Sequence, residues 1–250
     1  MRIGWRRSLA HSVSEGAHPN ARGDRDNVAQ RCKSDYDSLG SLFMGHKDQL
    51  KQLLRRKSLV RGTFTLASGK VSDYYIDCKL TTLDPEGAVL TGYTVLELLD
   101  EKGIQADAIG GPPIGAHPIV SAVAAVSYFR TKLEGKGKPL PAFLIREQHK
   151  SYGLQKQIEG IDLKKISKVV IIDEVCTTGK STREALKVVE DAGLQVLAVL
   201  SLVDREEGGS EGLRRDYTYL PIFTARELRQ HDDQSIGEPS QAAVHRERSR

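Results

Sequence analysis

The sequence predicts an α/β domain, a mostly parallel sheet flanked by helices. Three observations predict it. Short apolar runs alternate with helix-length segments through the middle of the chain, the pattern of repeated strand–helix–strand units. The run KVVIID, residues 168–173, is continuously apolar between charges, as in a strand covered on both faces. Helix punctuation also falls where such a fold needs it: Asp84 precedes Pro85-Glu86-Gly87 as an N-cap, and Gly103 and Gly193 follow helical stretches.

Taken in order, HKDQLKQLLRRKSLV after Met44 has the period of an amphipathic helix. Residues 63–67 and 74–78 read as short strands around the turn Ser68-Gly69-Lys70. A helix follows from Pro85 to about residue 99, then a buried strand at 106–110 and a small-residue helix from 118 to 129. After a turn at 135–139, a strand covers 142–145. The strand at 168–173, a helix over 181–192 and a strand at 196–203 complete the alternation.

The ends differ from this core. Residues 1–43 are rich in Ser, Gly, Asn, Asp and Arg without an apolar period, so a disordered extension is expected. Met44 is an alternative translation start, which an intact mass would settle. The tail at 231–250 is polar and expected to fray, leaving one domain over 44–230. With 39% apolar and 28% charged residues, the composition is that of a soluble globular protein. No apolar run approaches the roughly 18 residues that cross a bilayer, and the basic N-terminus lacks the apolar stretch of a secretory signal. Cys32, Cys78 and Cys176 are odd in number and form no CxxC pair. That argues against a disulfide framework or a zinc site, and for a reducing cytosol. The net charge of +4 suits an anionic substrate and does not by itself argue for nucleic acid.

Chemistry concentrates in VVIIDEVCTTGKST, residues 169–182. A buried strand delivers Asp173 and Glu174 to its carboxyl end, where ligands of open α/β sheets bind. The turn then offers hydroxyls from Thr177, Thr178 and Ser181, close backbone approach at Gly179, and the N–H groups of a following helix. Such a cradle fits a phosphate. Two acids beside it would repel the ligand unless they face hydroxyls or a hard cation; a ribose 5-phosphate whose hydroxyls meet the acids satisfies both demands. Gly179-Lys180-Ser181 matches the last positions of a P-loop, but Glu174 stands where that motif needs its first glycine. The P-loop is excluded.

This segment resembles the signature for phosphoribosyl pyrophosphate (PRPP) of type I phosphoribosyltransferases. Four more stretches resemble orotate phosphoribosyltransferases in particular, in family order: FTLASGKVSDYYIDCKLTTLDPEGA, GGPPIGAHPI, FLIREQHKSYGLQKQIEG and SLVDREEGG. The resemblance implies a mostly parallel sheet with a small hood subdomain, and transfer of phosphoribosyl from PRPP to orotate in pyrimidine biosynthesis. It assigns PRPP binding to Asp173, Glu174, Val175, Cys176, Thr177, Thr178, Gly179, Lys180 and Ser181, with Gly111, Pro112 and Pro113 as the pyrophosphate loop. Arg146 and Lys150 become catalytic cations on a mobile lid that reaches into a dimer partner. Thr177, Arg205, Tyr75 and Ile76 become orotate contacts, Arg205 by a bidentate grip on the carboxylate. Mg²⁺ is implied as a cofactor carried by PRPP, without direct protein ligands. A cytoplasmic homodimer acting on small molecules is expected, with no membrane or nucleic-acid partner.

The chain also departs from the family pattern. Glu147 replaces a lysine, Tyr152 a histidine and Ala67 a lysine (Lys70 stands nearby), while Gly115 stands where many relatives have a lysine. A cation exchanged for an anion beside pyrophosphate leaves open the base and the rate. It also leaves open a PRPP-sensing regulator of the same fold.

Overall fold

The computed structural model describes residues 44–65, 71–146 and 157–230. The expected terminal extensions, Ala67, Lys70 and the lid residues Glu147, Lys150 and Tyr152 lie outside them. In chain order the elements are α1 (His46–Lys57), β1 (Leu59–Thr65), β2 (Val71–Ile76), a short α2 (Lys79–Thr82), α3 (Pro85–Glu101) and β3 (Ala108–Gly111). Next come α4 (Ala116–Phe129) with a π-helical turn (Arg130–Glu134), β4 (Ala142–Ile145), β5 (Ile158–Glu159) and β6 (Lys168–Cys176). The chain continues with α5 (Lys180–Asp191), β7 (Gln195–Asp204), α6 (Gly209–Asp216), β8 (Tyr219–Thr224) and α7 (Ala225–Arg229).

The main sheet runs β5-β4-β3-β6-β7-β8. Every pairing in it is parallel except β4 with β5. Residues of β6 alternate between two apolar layers, as the two-residue period of a strand requires. Val170 and Ile172 join the cluster under α1, α3 and α4, while Val169 and Ile171 join the one under α5. This explains the unbroken apolar run: each face of β6 has its own core. Strands β1 and β2 form a separate antiparallel hairpin, the expected hood. It is anchored by Tyr74 and Ile76, which are buried in the first cluster.

Local signals decided several boundaries. Asp84 caps α3 as expected, accepting from Glu86 N at 3.1 Å and Gly87 N at 3.2 Å, and also binds Lys57. The first helix was expected to reach Val60 but ends at Lys57. There Ser58 turns inward to hydrogen-bond Thr81 Oγ1 at 2.7 Å, and Leu59 enters the hairpin. Strand β6 outruns its expected end because Val175 and Cys176 still pair with Val203 and Asp204 of β7. The elements after β7 were not anticipated. Pro221 obscured β8, yet β8 is an edge strand, where a missing N–H is tolerated.

Candidate active site

The carboxyl ends of β3, β6 and β7 meet at one edge, and the turn between β6 and α5 is its centre. Asp173 is buried. One of its oxygens accepts hydroxyls from Ser181 at 2.9 Å and Thr182 at 2.7 Å, and the other accepts Glu174 N at 2.8 Å. The carboxylate therefore ties the strand end to the first turn of the helix. Expected as partners of a ribose and a phosphate, Asp173 and Ser181 are engaged with each other. Glu174 faces the other way, towards Lys79, whose ammonium lies 3.3 Å from both of its oxygens. Burial pushes the Glu174 carboxyl above the usual range, and Lys79 opposes that rise.

Gly179 caps α5 in the left-handed conformation, φ 71°, which a residue with a side chain rarely adopts. The turn also packs backbone to backbone against the start of α6. Gly209 N donates to Thr177 O at 3.2 Å, and a Cβ on Gly209 would overlap that same carbonyl. Thr177 is half-buried, and Thr178 and Lys180 are exposed. The first turn of α5 adds N–H groups without intrahelical acceptors. Val175 is half-buried against the first core cluster, and Cys176 is buried in the second, so Cys176 offers a ligand only its backbone.

The pyrophosphate-loop candidates follow β3. Gly111 and Pro112 are buried, Pro113 is half-buried, and the Pro113–Ile114 peptide is cis. A cavity of ≈ 240 Å³ is lined by Pro112, Pro113, Arg146 and Ser181 among others, so three separate stretches of sequence meet there. Arg146 is exposed at the end of β4, 3.4 Å from Glu159.

At the β7 edge, Arg205 is deeply placed, its side chain 6% exposed. Its Nε donates to Glu207 at 2.8 Å, and its guanidinium lies 4.8 Å from the centre of the Tyr74 ring. Its Nη2 is buried without a hydrogen-bond partner among the described residues. A second guanidinium, Arg229, lies 4.6 Å from the same ring. Neither Asp204 nor Glu206 takes Arg205. Asp204 receives Arg214 at 3.3 Å, and Glu206 receives Arg226 at 2.7 Å. Of the hairpin residues expected at a base, Tyr75 is 43% exposed beside Phe64, while Ile76 is buried in the core. Tyr75 can offer its ring to a ligand; Ile76 supports the hairpin from behind.

Sequence reasoning missed Lys79, Glu207 and the stacking role of Tyr74. All three lie inside the stretches that resemble the family, but each pairs with a partner far away in the chain or around a turn, which spacing does not show. Among the described residues no group of three or more His, Cys, Asp or Glu side chains converges as a metal site. With Asp173 engaged and Glu174 bound to Lys79, the donor set fits a cation that arrives already chelated by its ligand.

Comparison with known proteins identifies the family. A profile of the phosphoribosyl transferase domain matches residues 94–231. Orotate phosphoribosyltransferase of Aquifex aeolicus is 36% identical over 190 residues, 75% of this chain and 98% of the relative. That of Synechocystis sp. is 40% identical over 185 residues, 74% of this chain and 89% of the relative. The crystal structure of Mycobacterium tuberculosis orotate phosphoribosyltransferase in complex with PRPP has a TM-score of 0.59 at 28% identity, covering 73% of this chain and 98% of that one.

Proposed function

The chain belongs to the orotate phosphoribosyltransferases of the phosphoribosyltransferase family, and on that premise we propose how its residues divide the reaction. It transfers phosphoribosyl from PRPP to orotate, giving orotidine 5′-monophosphate and pyrophosphate, a step of pyrimidine biosynthesis. The anomeric carbon loses its bond to a pyrophosphate oxygen and gains one to a pyrimidine nitrogen. Positive charge develops on the ribose and negative charge on the leaving group, so fixed charges at each end do the work.

The convergence of Glu174, the Thr177–Ser181 turn and the loop after β3 at one sheet edge carries this reading. Thr177, Thr178, Gly179, Lys180 and the α5 N–H groups take the 5-phosphate. Glu174 takes the ribose hydroxyls, and Asp173 keeps strand and helix in register beneath it. Gly111, Pro112 and Pro113 bring backbone to the pyrophosphate. Arg205 meets the orotate carboxylate through its unpartnered Nη2, held at the correct angle by Glu207, and Tyr75 covers the flat ring. Arg146 and Lys150 neutralise the departing pyrophosphate when the lid closes and excludes water. Mg²⁺ carried by PRPP would neutralise the diphosphate, and Glu174 would be the side chain to hold it.

We place the enzyme in the cytoplasm as a homodimer. Among the described residues no helix is long and apolar enough to cross a membrane. Tyr128 and Phe129 at the end of α4 and Leu133 in the π-helical turn after it are exposed, a surface that a second copy would cover. The named relatives favour the transferase over a regulator of the same fold. Mixing protein, PRPP, Mg²⁺ and orotate should deplete orotate absorbance in the ultraviolet with one pyrophosphate released per orotate lost. Intact orotate in the presence of folded protein would refute the reading.

A further inference from the structure

Glu174 and Gly115 are in contact across the site. A Cβ built on Gly115 would overlap Glu174 Oε2 and stand 2.6 Å from its Cδ. No side chain fits at position 115 while Glu174 keeps this rotamer, so the loop after β3 cannot offer a cation from there. On its other side the same carboxylate binds Lys79, which is also 2.8 Å from Asp77. The Lys79 side chain is 41% exposed and that of Glu174 12%. The ammonium therefore stands at the mouth of the site, with the carboxylate behind it. Burial works against the charge on Lys79, but its bonds to Asp77 and Glu174 outweigh burial and hold the ammonium protonated.

We propose that Lys79 is a PRPP-binding residue, the stationary cation of the site, supplied by α2 in place of a side chain at Gly115. Held between two carboxylates, it is fixed in position before the ligand arrives. A diphosphate entering beside Gly115 would otherwise face Asp77 and Glu174 without compensation. Lys79 offsets that repulsion and lets Glu174 remain an acceptor for ribose hydroxyls. The inference rests on the transferase reading and adds the origin of its fixed positive charge.

Calorimetric titration of PRPP with Mg²⁺ into the wild type, Lys79→Gln and Lys79→Arg tests it, with thermal melting and both KM values measured alongside. Lys79→Gln should weaken PRPP binding by about tenfold or more, as loss of a charged hydrogen bond does. It should leave the orotate KM and Tm near wild type, and Lys79→Arg should recover most of the affinity. No uptake by folded wild-type protein overturns the transferase reading and this proposal with it. Uptake by the wild type with equal affinity in Lys79→Gln overturns the proposal alone. A fall in Tm with loss of both substrates would assign Lys79 to the fold and reject it as a ligand contact. Independently, Gly115→Ala should weaken PRPP binding, and adding Glu174→Asp should restore part of it. Undiminished binding by Gly115→Ala contradicts the steric part.

Discussion

At the phosphate end of the site, Asp173, Ser181 and Thr182 belong to one strand–turn–helix unit and satisfy one another. At the base end, Tyr74, Arg205 and Arg229 come from the hood hairpin, the β7 edge and the last described helix. The first region closes its hydrogen bonds before any ligand arrives. The second leaves a buried guanidinium nitrogen open. A buried donor without a partner is unfavourable, and in the proposed function the orotate carboxylate would relieve it. On the proposed assignment rigidity and readiness are separated here: the phosphate cradle is finished by folding, and the base pocket would be finished by its substrate.

Substitutions can break this contrast, beginning with the largest effect. Arg205→Met should raise the orotate KM by about a hundredfold, the scale for losing a desolvated charge pair, while PRPP affinity holds. Equal losses for both substrates would show that the two ends are one unit. Asp173→Asn should act on the fold, lowering stability by about 1–3 kcal/mol through the loosened α5 N-terminus. Chemical denaturation measures it, and an unchanged midpoint would show that the tie is idle. Tyr74→Leu removes the ring that two guanidinium groups share, at about 0.5–2 kcal/mol. A lower Tm with a modestly higher orotate KM is expected.

The smallest effect lies away from both ends and serves as a control. Asp107 accepts from Ser167 N at 3.1 Å and Lys168 N at 2.9 Å, and these backbone bonds hold its carboxyl below the usual range. A depressed carboxylate contributes stability above its unfolded pKa and loses it as pH falls through the folded value. Asp107→Asn should therefore flatten the acid limb of the stability profile. Glu174, raised by burial, has the opposite sign: its contribution is present at low pH and fades as pH rises through its folded value.

The same contrast decides what the sequence made legible. The β6–α5 unit could be read because strand, acids, hydroxyls and helix start are consecutive, and each obeys a local rule. The two acids were visible in the sequence, but not that Asp173 would bond Ser181 and Thr182 while Glu174 met Lys79. Whether Asp173 points at a ligand or at Thr182 depends on side-chain direction, which spacing alone does not fix. Arg205 was legible as a cation at a strand end. Its true partner was not, because Asp204 and Glu206 are its immediate neighbours in sequence, yet the turn geometry gives it Glu207, one residue further on. Tyr74 is buried and Tyr75 exposed, as the two-residue period of a strand requires. The same alternation places Ile76 inside with Tyr74. Strand β8 went unread because proline is a weak strand signal, and only the finished sheet shows that it stands on an edge.

Titration of PRPP in the presence of Mg²⁺ into the wild type and Glu174→Gln, followed by calorimetry, tests the central claim most directly. Saturable uptake of one PRPP per chain is expected, markedly weakened in Glu174→Gln while both proteins melt alike. Identical affinity in the two folded proteins would contradict the placement of the sugar-phosphate pocket at the end of β6.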